Sequence, residues 1–426
     1  MRAFNHISAL KPLIRIALVS CILTLVQGCS MPSATPMPNS GVLTGTDSAP
    51  RFRQASFQSQ DANKLEQILR ADPMLAGYLD KADQYRIQVI FSQIEHNRSN
   101  QPQLITWTFR QDESFYYPAS LVKLPVAIFA LERLEELGLD KNDRFEIHPA
   151  NDCSRYSADA CDTVEQCIEQ IFVYSNNTAY NRLFEFLGRD EINDRLRDLG
   201  YQGVIQRRFR PGCGGDLGLT TGAVTFYDQN GNVRHRQPAR MSRRVYSPPR
   251  PDMRAGRKTR TAIGLIDEPM DFSDKNYLPL ADFHQMLITL IDPSAVPKAS
   301  RFALNASDQD FLQQTMAMRP RDAGGNQPDS FRKYLMIGGQ ARMPDTLQIM
   351  NKVGLSYGFV SDVAYIRDTT KDVDFFLSAT IYTNQNQIMN DAVYEYETLG
   401  YPFMRALGQA IYRYVLSRAT QGGSPE

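Results

Sequence analysis

Ser120 and Lys123 stand three residues apart in the run Tyr117-Pro118-Ala119-Ser120-Leu121-Val122-Lys123. If a helix begins near the serine, that spacing puts both side chains on one face. Serine is a weak nucleophile until a base within hydrogen-bond reach takes its proton. A lysine desolvated beside a second cation can lose its own proton at neutral pH and act as that base, its ammonium returning to the Ser120 hydroxyl. The apolar run 124–131 would carry the helix through a core and keep the pair rigid, with Pro125 early enough that its missing N–H costs little. The spacing alone decides nothing, because Ser-x-x-Lys recurs at Ser8/Lys11 and Ser330/Lys333, the first in an export signal and the second in a Gly-, Asn-, Pro- and Asp-rich stretch.

Two further motifs supply context: Ser175-Asn176-Asn177 after an apolar helix pattern, and Lys352-Val353-Gly354-Leu355 in a strand pattern. In that order, Ser-x-x-Lys, a Ser-x-Asn loop and a Lys-x-Gly strand resemble the active-site elements of the penicillin-recognising serine enzymes, above all the class A serine β-lactamases. The resemblance runs over residues 62–418, interrupted by one insertion. It implies that Ser120 is the acyl-accepting nucleophile, Lys123 its activator, Ser175 a proton relay to the leaving nitrogen and Lys352 a source of local positive potential. It further implies an oxyanion hole from the N–H groups of Ser120 and Leu355, Asn177 holding the substrate amide, and Gly354 leaving room for the acyl group.

Three positions depart from that family. Asn176 replaces an aspartate. Val353 replaces a residue whose hydroxyl commonly helps bind the substrate carboxylate. Arg210, in Arg208-Phe209-Arg210-Pro211, stands where the family keeps the glutamate that activates the deacylating water, and Gly212-Cys213-Gly214-Gly215 follows without the asparagine partner. Arginine is no general base at ordinary pH.

These residues need a scaffold. A helix pattern over 62–80 and strands over 86–93 and 103–110 precede the nucleophile; strands over 347–354, 358–367 and 373–382 and a helix over 397–417 close the chain. Strands at both ends with helices between them predict an α+β, β-lactamase-like fold: an antiparallel five-stranded sheet flanked by helices, with an inserted helical lobe and the site at the seam. The domain is expected over 61–420, followed by a short tail, 421–426.

Residues 1–28 read as a secretory signal, and Leu25-Val26-Gln27-Gly28-Cys29 resembles a lipobox, making Cys29 the expected lipidated terminus of an outer-membrane, periplasm-facing lipoprotein. Residues 29–60, rich in Ser, Pro, Thr and Gly, read as a flexible tether. In an oxidising compartment the four remaining cysteines favour disulfides, and three pairings are possible. Cys153 and Cys161 flank a short polar loop and Cys167 lies on the helix leading to Ser175, so the expected pairs are Cys153–Cys161 and Cys167–Cys213.

The insertion, 214–275, reads as a hairpin around Asn230-Gly231 followed by a run, 234–260, with nine arginines and Lys258 against Asp252 alone. That composition suits either an arm for envelope polyanions or a solvated insertion. Lys and Arg total 47, as do Asp and Glu, so no global field points to nucleic acid. The five histidines are isolated, and no metal or cofactor is expected. Three functions remain open: a β-lactamase-type hydrolase with slow deacylation, a D-Ala-D-Ala peptidase acting on peptidoglycan, and a non-catalytic binding or sensing protein.

Overall fold

A computed structural model describes residues 63–96, 102–151, 161–209, 218–371 and 373–420, all within one compact unit, Arg51–Glu426. The expected signal, tether and tail, with Cys29, Cys153, Arg210 and Cys213, lie outside them.

The main sheet has five strands, β1 (Gln88–His96), β2 (Pro102–Phe109), β3 (Leu347–Ser356), β4 (Phe359–Asp368) and β5 (Val373–Tyr382), in the spatial order β3-β4-β5-β1-β2. Every pairing is antiparallel, and β1 joins β5 with Phe91 opposite Leu377. The fold is therefore α+β, with chain ends meeting in mid-sheet and β3 left as an edge. The central strand β5 is apolar and almost wholly buried, as a strand covered on both faces must be.

Alternate residues serve two cores. One face, with Val353, Ala364 and Leu377, packs on the terminal helices α1 (Lys64–Arg70), α2 (Pro73–Leu79) and α9 (Tyr401–Thr420). The other, with Val363 and Phe376, packs on a helical lobe containing α3 (Lys123–Leu137), α4 (Val164–Tyr174), α5 (Asn177–Leu187), α6 (Arg189–Asp198), α7 (Leu280–Ile291) and α8 (Ala306–Ala317). No described helix is long and apolar enough to cross a membrane.

The single helix expected over 62–80 is two. Asp72 caps α2, accepting from the backbone N–H groups of Met74 at 3.0 Å and Leu75 at 3.3 Å, and Pro73 opens it. A capping aspartate followed by proline starts a helix more readily than it continues one. The closing helix begins at Tyr401, after a π-turn over Tyr396–Gly400.

The disulfide expectation is wrong. Cys161 pairs with Cys167, Cα–Cα 5.2 Å, which excludes Cys153–Cys161 and Cys167–Cys213 alike. The chain enters α4 through the extended residue Thr163, whose side chain caps Gln166. That entry lays buried Cys161 beside the first turns of the helix, where Cys167 points.

The insertion does contain the hairpin, as strands Ala223–Tyr227 and Val233–Gln237, and adds Arg144–His148 as a third strand. Much of its positive charge is answered by acids distant in sequence. Arg240 pairs with Glu191 at 2.9 Å, Arg244 with Asp194, and Arg250 with Asp112. A local count of arginines could not see these partners.

Candidate active site

Ser120 lies in a single 3-10 turn, Ala119–Val122, that runs directly into α3. Ala119 takes a positive φ of 46°, a costly conformation for a residue with a Cβ and one concentrated at functional turns. Around it Ala119, Leu121, Val122 and Lys123 are buried, while Ser120 is only half-buried, so the turn presents the serine alone.

The edge strand β3 presses on this turn at Gly354. A Cβ there would lie 2.2 Å from the Pro118 carbonyl oxygen and 3.2 Å from Leu121 Cγ. The absence of a side chain at Gly354 is thus what lets β3 approach the turn that carries Ser120. Gly354→Ala should destabilise the fold by about 1–3 kcal/mol, as overpacking does, and displace Ser120. Denaturant unfolding checks this, and an unchanged midpoint would contradict it.

Two lysines converge on Ser175, which closes α4 in the left-handed conformation, φ 56°. Lys123 Nζ donates to the Ser175 carbonyl at 2.5 Å, to Ser175 Oγ at 3.3 Å and to Asn177 Oδ1 at 2.6 Å. Lys352 Nζ donates to the same Oγ at 3.0 Å and to the Val353 carbonyl at 3.0 Å. The carbonyl oxygens of Ser175 and Asn177 can only accept, whereas the Ser175 hydroxyl between the two lysines can accept or donate. Among the described residues, the hydrogen bonds of Lys123 go to Ser175 and Asn177 and not, as the spacing suggested, to Ser120. Asn177, expected to hold a substrate amide, has its carbonyl end occupied by Lys123.

Both lysines are held well below the usual ammonium range, first by burial. Lys352 and Arg332 act further on Lys123. Lys352 feels Arg332 in the same sense but is opposed by Asp362. Two buried ammonium groups on one hydroxyl disfavour each other's charge. Asp362 behind Lys352 opposes the loss of its proton, and no carboxylate does the same for Lys123.

Several contributors were invisible in spacing. Arg332 donates Nε and Nη2 to the Tyr174 carbonyl at 3.1 and 2.9 Å, clamping the last turn of α4 before Ser175. Beneath it, Asn351 donates to the Arg332 carbonyl at 2.9 Å and to Asp362 at 2.7 Å. Burial pushes Asp362 up to about 6, and it also takes the N–H groups of Tyr334 and Leu335, both at 2.9 Å. Lys333, of the third Ser-x-x-Lys, is buried here and bonds Met316, Ile349 and Asn351. The one available signal was Asp362 itself, an acid within an apolar strand.

Two departures find local roles. Asn176 caps α5, accepting from Thr178 N at 2.8 Å and Ala179 N at 3.2 Å, work that asparagine does as well as aspartate. Val353 belongs to the core beneath the terminal helices.

Residues 79–415 match the model of the β-lactamase enzyme family. A search of curated proteins gives no match. Among solved structures, a β-lactamase from Desulfarculus baarsii DSM 2075 is similar at 16% identity and TM-score 0.49, over 85% of this chain and 99% of that one. An ancestral class A β-lactamase gives 15% and 0.47 over 82% and 99%. One from Xanthomonas campestris pv. campestris gives 14% and 0.45 over 82% and 98%. With most of its length under the family model, the chain belongs to the β-lactamase enzyme family.

Proposed function

We propose that this protein is a serine hydrolase of the β-lactamase type, in which Ser120 is acylated by β-lactams or related cyclic or peptide amides. Neutral Lys123 takes the Ser120 proton as the hydroxyl oxygen attacks the amide carbon. The N–H groups of Ser120 and Leu355 receive the developing oxyanion. Ser175 gives its proton to the departing nitrogen and recovers one from Lys123, while Lys352 steadies the charge that builds up on Ser175. The observation carrying this reading is the convergence of Lys123 and Lys352 on Ser175 Oγ, at 3.3 and 3.0 Å, beside a turn that presents Ser120 alone.

A second reading, a penicillin-binding peptidase acting on peptidoglycan, is favoured by one feature. The partners of Lys123 and Ser175 among the described residues are Lys352, Asn177 and backbone carbonyls, with no carboxylate to activate water. Fluorescent penicillin should label the wild type and leave Ser120→Ala unlabelled. Labelling that persists in Ser120→Ala, or that maps to Ser330, would overturn the assignment. Intact-mass measurement with muropeptides then separates the two readings, because only the peptidase forms an adduct with them. A protein that takes no adduct from either would be a binding module.

A further inference from the structure

Lys123 is wholly buried, yet its hydrogen-bond partners all lie on one side of it, in the loop between α4 and α5. On another side stands Phe209, its ring centroid 5.2 Å from Nζ and itself half-buried. Phe209 is held from both ends of its peptide unit: its N–H donates to Asn181 Oδ1 at 2.9 Å and its carbonyl accepts from Asn181 Nδ2 at 3.3 Å. An asparagine side chain paired in this way copies a strand partner and fixes both position and orientation. The Tyr180 ring backs Phe209 at 4.8 Å, and the Tyr180 hydroxyl donates to the Arg207 carbonyl at 3.1 Å. Asn276 accepts from Gln206 N at 2.8 Å and Arg207 N at 2.9 Å. Five polar contacts thus register residues 206, 207 and 209, and the Phe209 ring rests over Lys123 Nζ.

We propose that Phe209 is a positioning residue for Lys123, a cover that keeps water from Nζ, and that Asn181 is the clasp holding the cover in place. The inference rests on the reading of Lys123 as the base of the acylation step, and it adds a residue that no motif assigned. The charged groups acting on Lys123 are Lys352 from β3 and Arg332 from the segment before it. Ser175 and Asn177 from the α4–α5 loop, and Phe209 itself, carry no charge. Removing the cover therefore changes hydration of Nζ without removing a charge, and water favours the protonated form of an amine.

The test uses the full chain, labelled with lysine carrying 13C at Cε, and follows the Lys123 resonance, identified by its loss in Lys123→Met, against pH. Phe209→Ala should raise the titration midpoint by about one unit, which at lower pH is a tenfold smaller neutral fraction. Phe209→Leu, still apolar, should keep the low midpoint, and Asn181→Ala should shift it in the same direction as Phe209→Ala. An unmoved midpoint in folded Phe209→Ala, or an equal upward shift in Phe209→Leu, would overturn the proposal. The resonance is read without turnover, so the two failures separate. A shifted midpoint in a protein that never labels with penicillin sinks the acylation reading alone, and an unmoved midpoint in a protein that labels sinks the cover alone.

Discussion

Lys123→Met is expected to slow penicillin acylation of Ser120 by two to four orders of magnitude, the usual effect of losing a positioned proton acceptor, and to make the protein more stable. The two effects share a cause. Lys123 is buried, donating to Ser175 and Asn177, and its free-base form is favoured by burial and by the positive charges of Lys352 and Arg332. The sign of the pH dependence follows. With a folded value below the unfolded one, the unfolded chain binds the extra proton between the two values, so stability rises with pH there and is lost as pH falls through the folded value. Methionine has no proton to accept, so that part of the pH dependence should vanish while stability at neutral pH increases. The acylation rate of the wild type should rise with pH through the same titration. Stopped-flow acylation and thermal unfolding across pH check both arms. A Lys123→Met protein that is inactive and less stable would mean that the lysine is structural, and one that acylates at the wild-type rate would move the base elsewhere.

How much of this was legible in the sequence depends on whether the signal was local. The five strands fall close to their alternation patterns because each covers a sheet face of fixed period, and the Ser120, Ser175 and Lys352 motifs are short runs with recognisable flanks. What the chain brings together over long separations was not legible. Arg332 meets Tyr174 and Arg240 meets Glu191, and neither pair shares a local pattern. The disulfide failed for a related reason. Loop boundaries suggested Cys153 with Cys161, whereas the entry of the chain into α4 put Cys161 against Cys167. At Gly354 a missing side chain does not announce which neighbour uses the room, and the close approach of the Pro118 carbonyl was not legible.

The second large effect concerns release of the acyl group. If the proposed reading holds, exposure to penicillin should give a burst of one equivalent followed by slow turnover, with the adduct visible by intact mass throughout. The resemblance to the class A enzymes puts Arg210 at the position of their water-activating carboxylate. Among the described residues, the acid electrostatically linked to the site is Asp362, and it is unsuited to the task. It lies behind Lys352, with one oxygen accepting from Asn351 and the other from Tyr334 and Leu335. A carboxylate so engaged holds β3, β4 and the Arg332 segment together and offers no basic lone pair to water. Loss of a general base costs about 10²–10⁴-fold in the step it serves, whereas acylation, served by Lys123, is spared, so the covalent state accumulates. Arg210→Glu alone should recover little, since Gly212-Cys213-Gly214-Gly215 supplies no asparagine to hold the water. Rapid-quench kinetics with mass detection gives the answer directly. Steady hydrolysis without a detectable adduct would show that another residue supplies the base, and Asp216, in the same segment and outside the described residues, would be the first to replace.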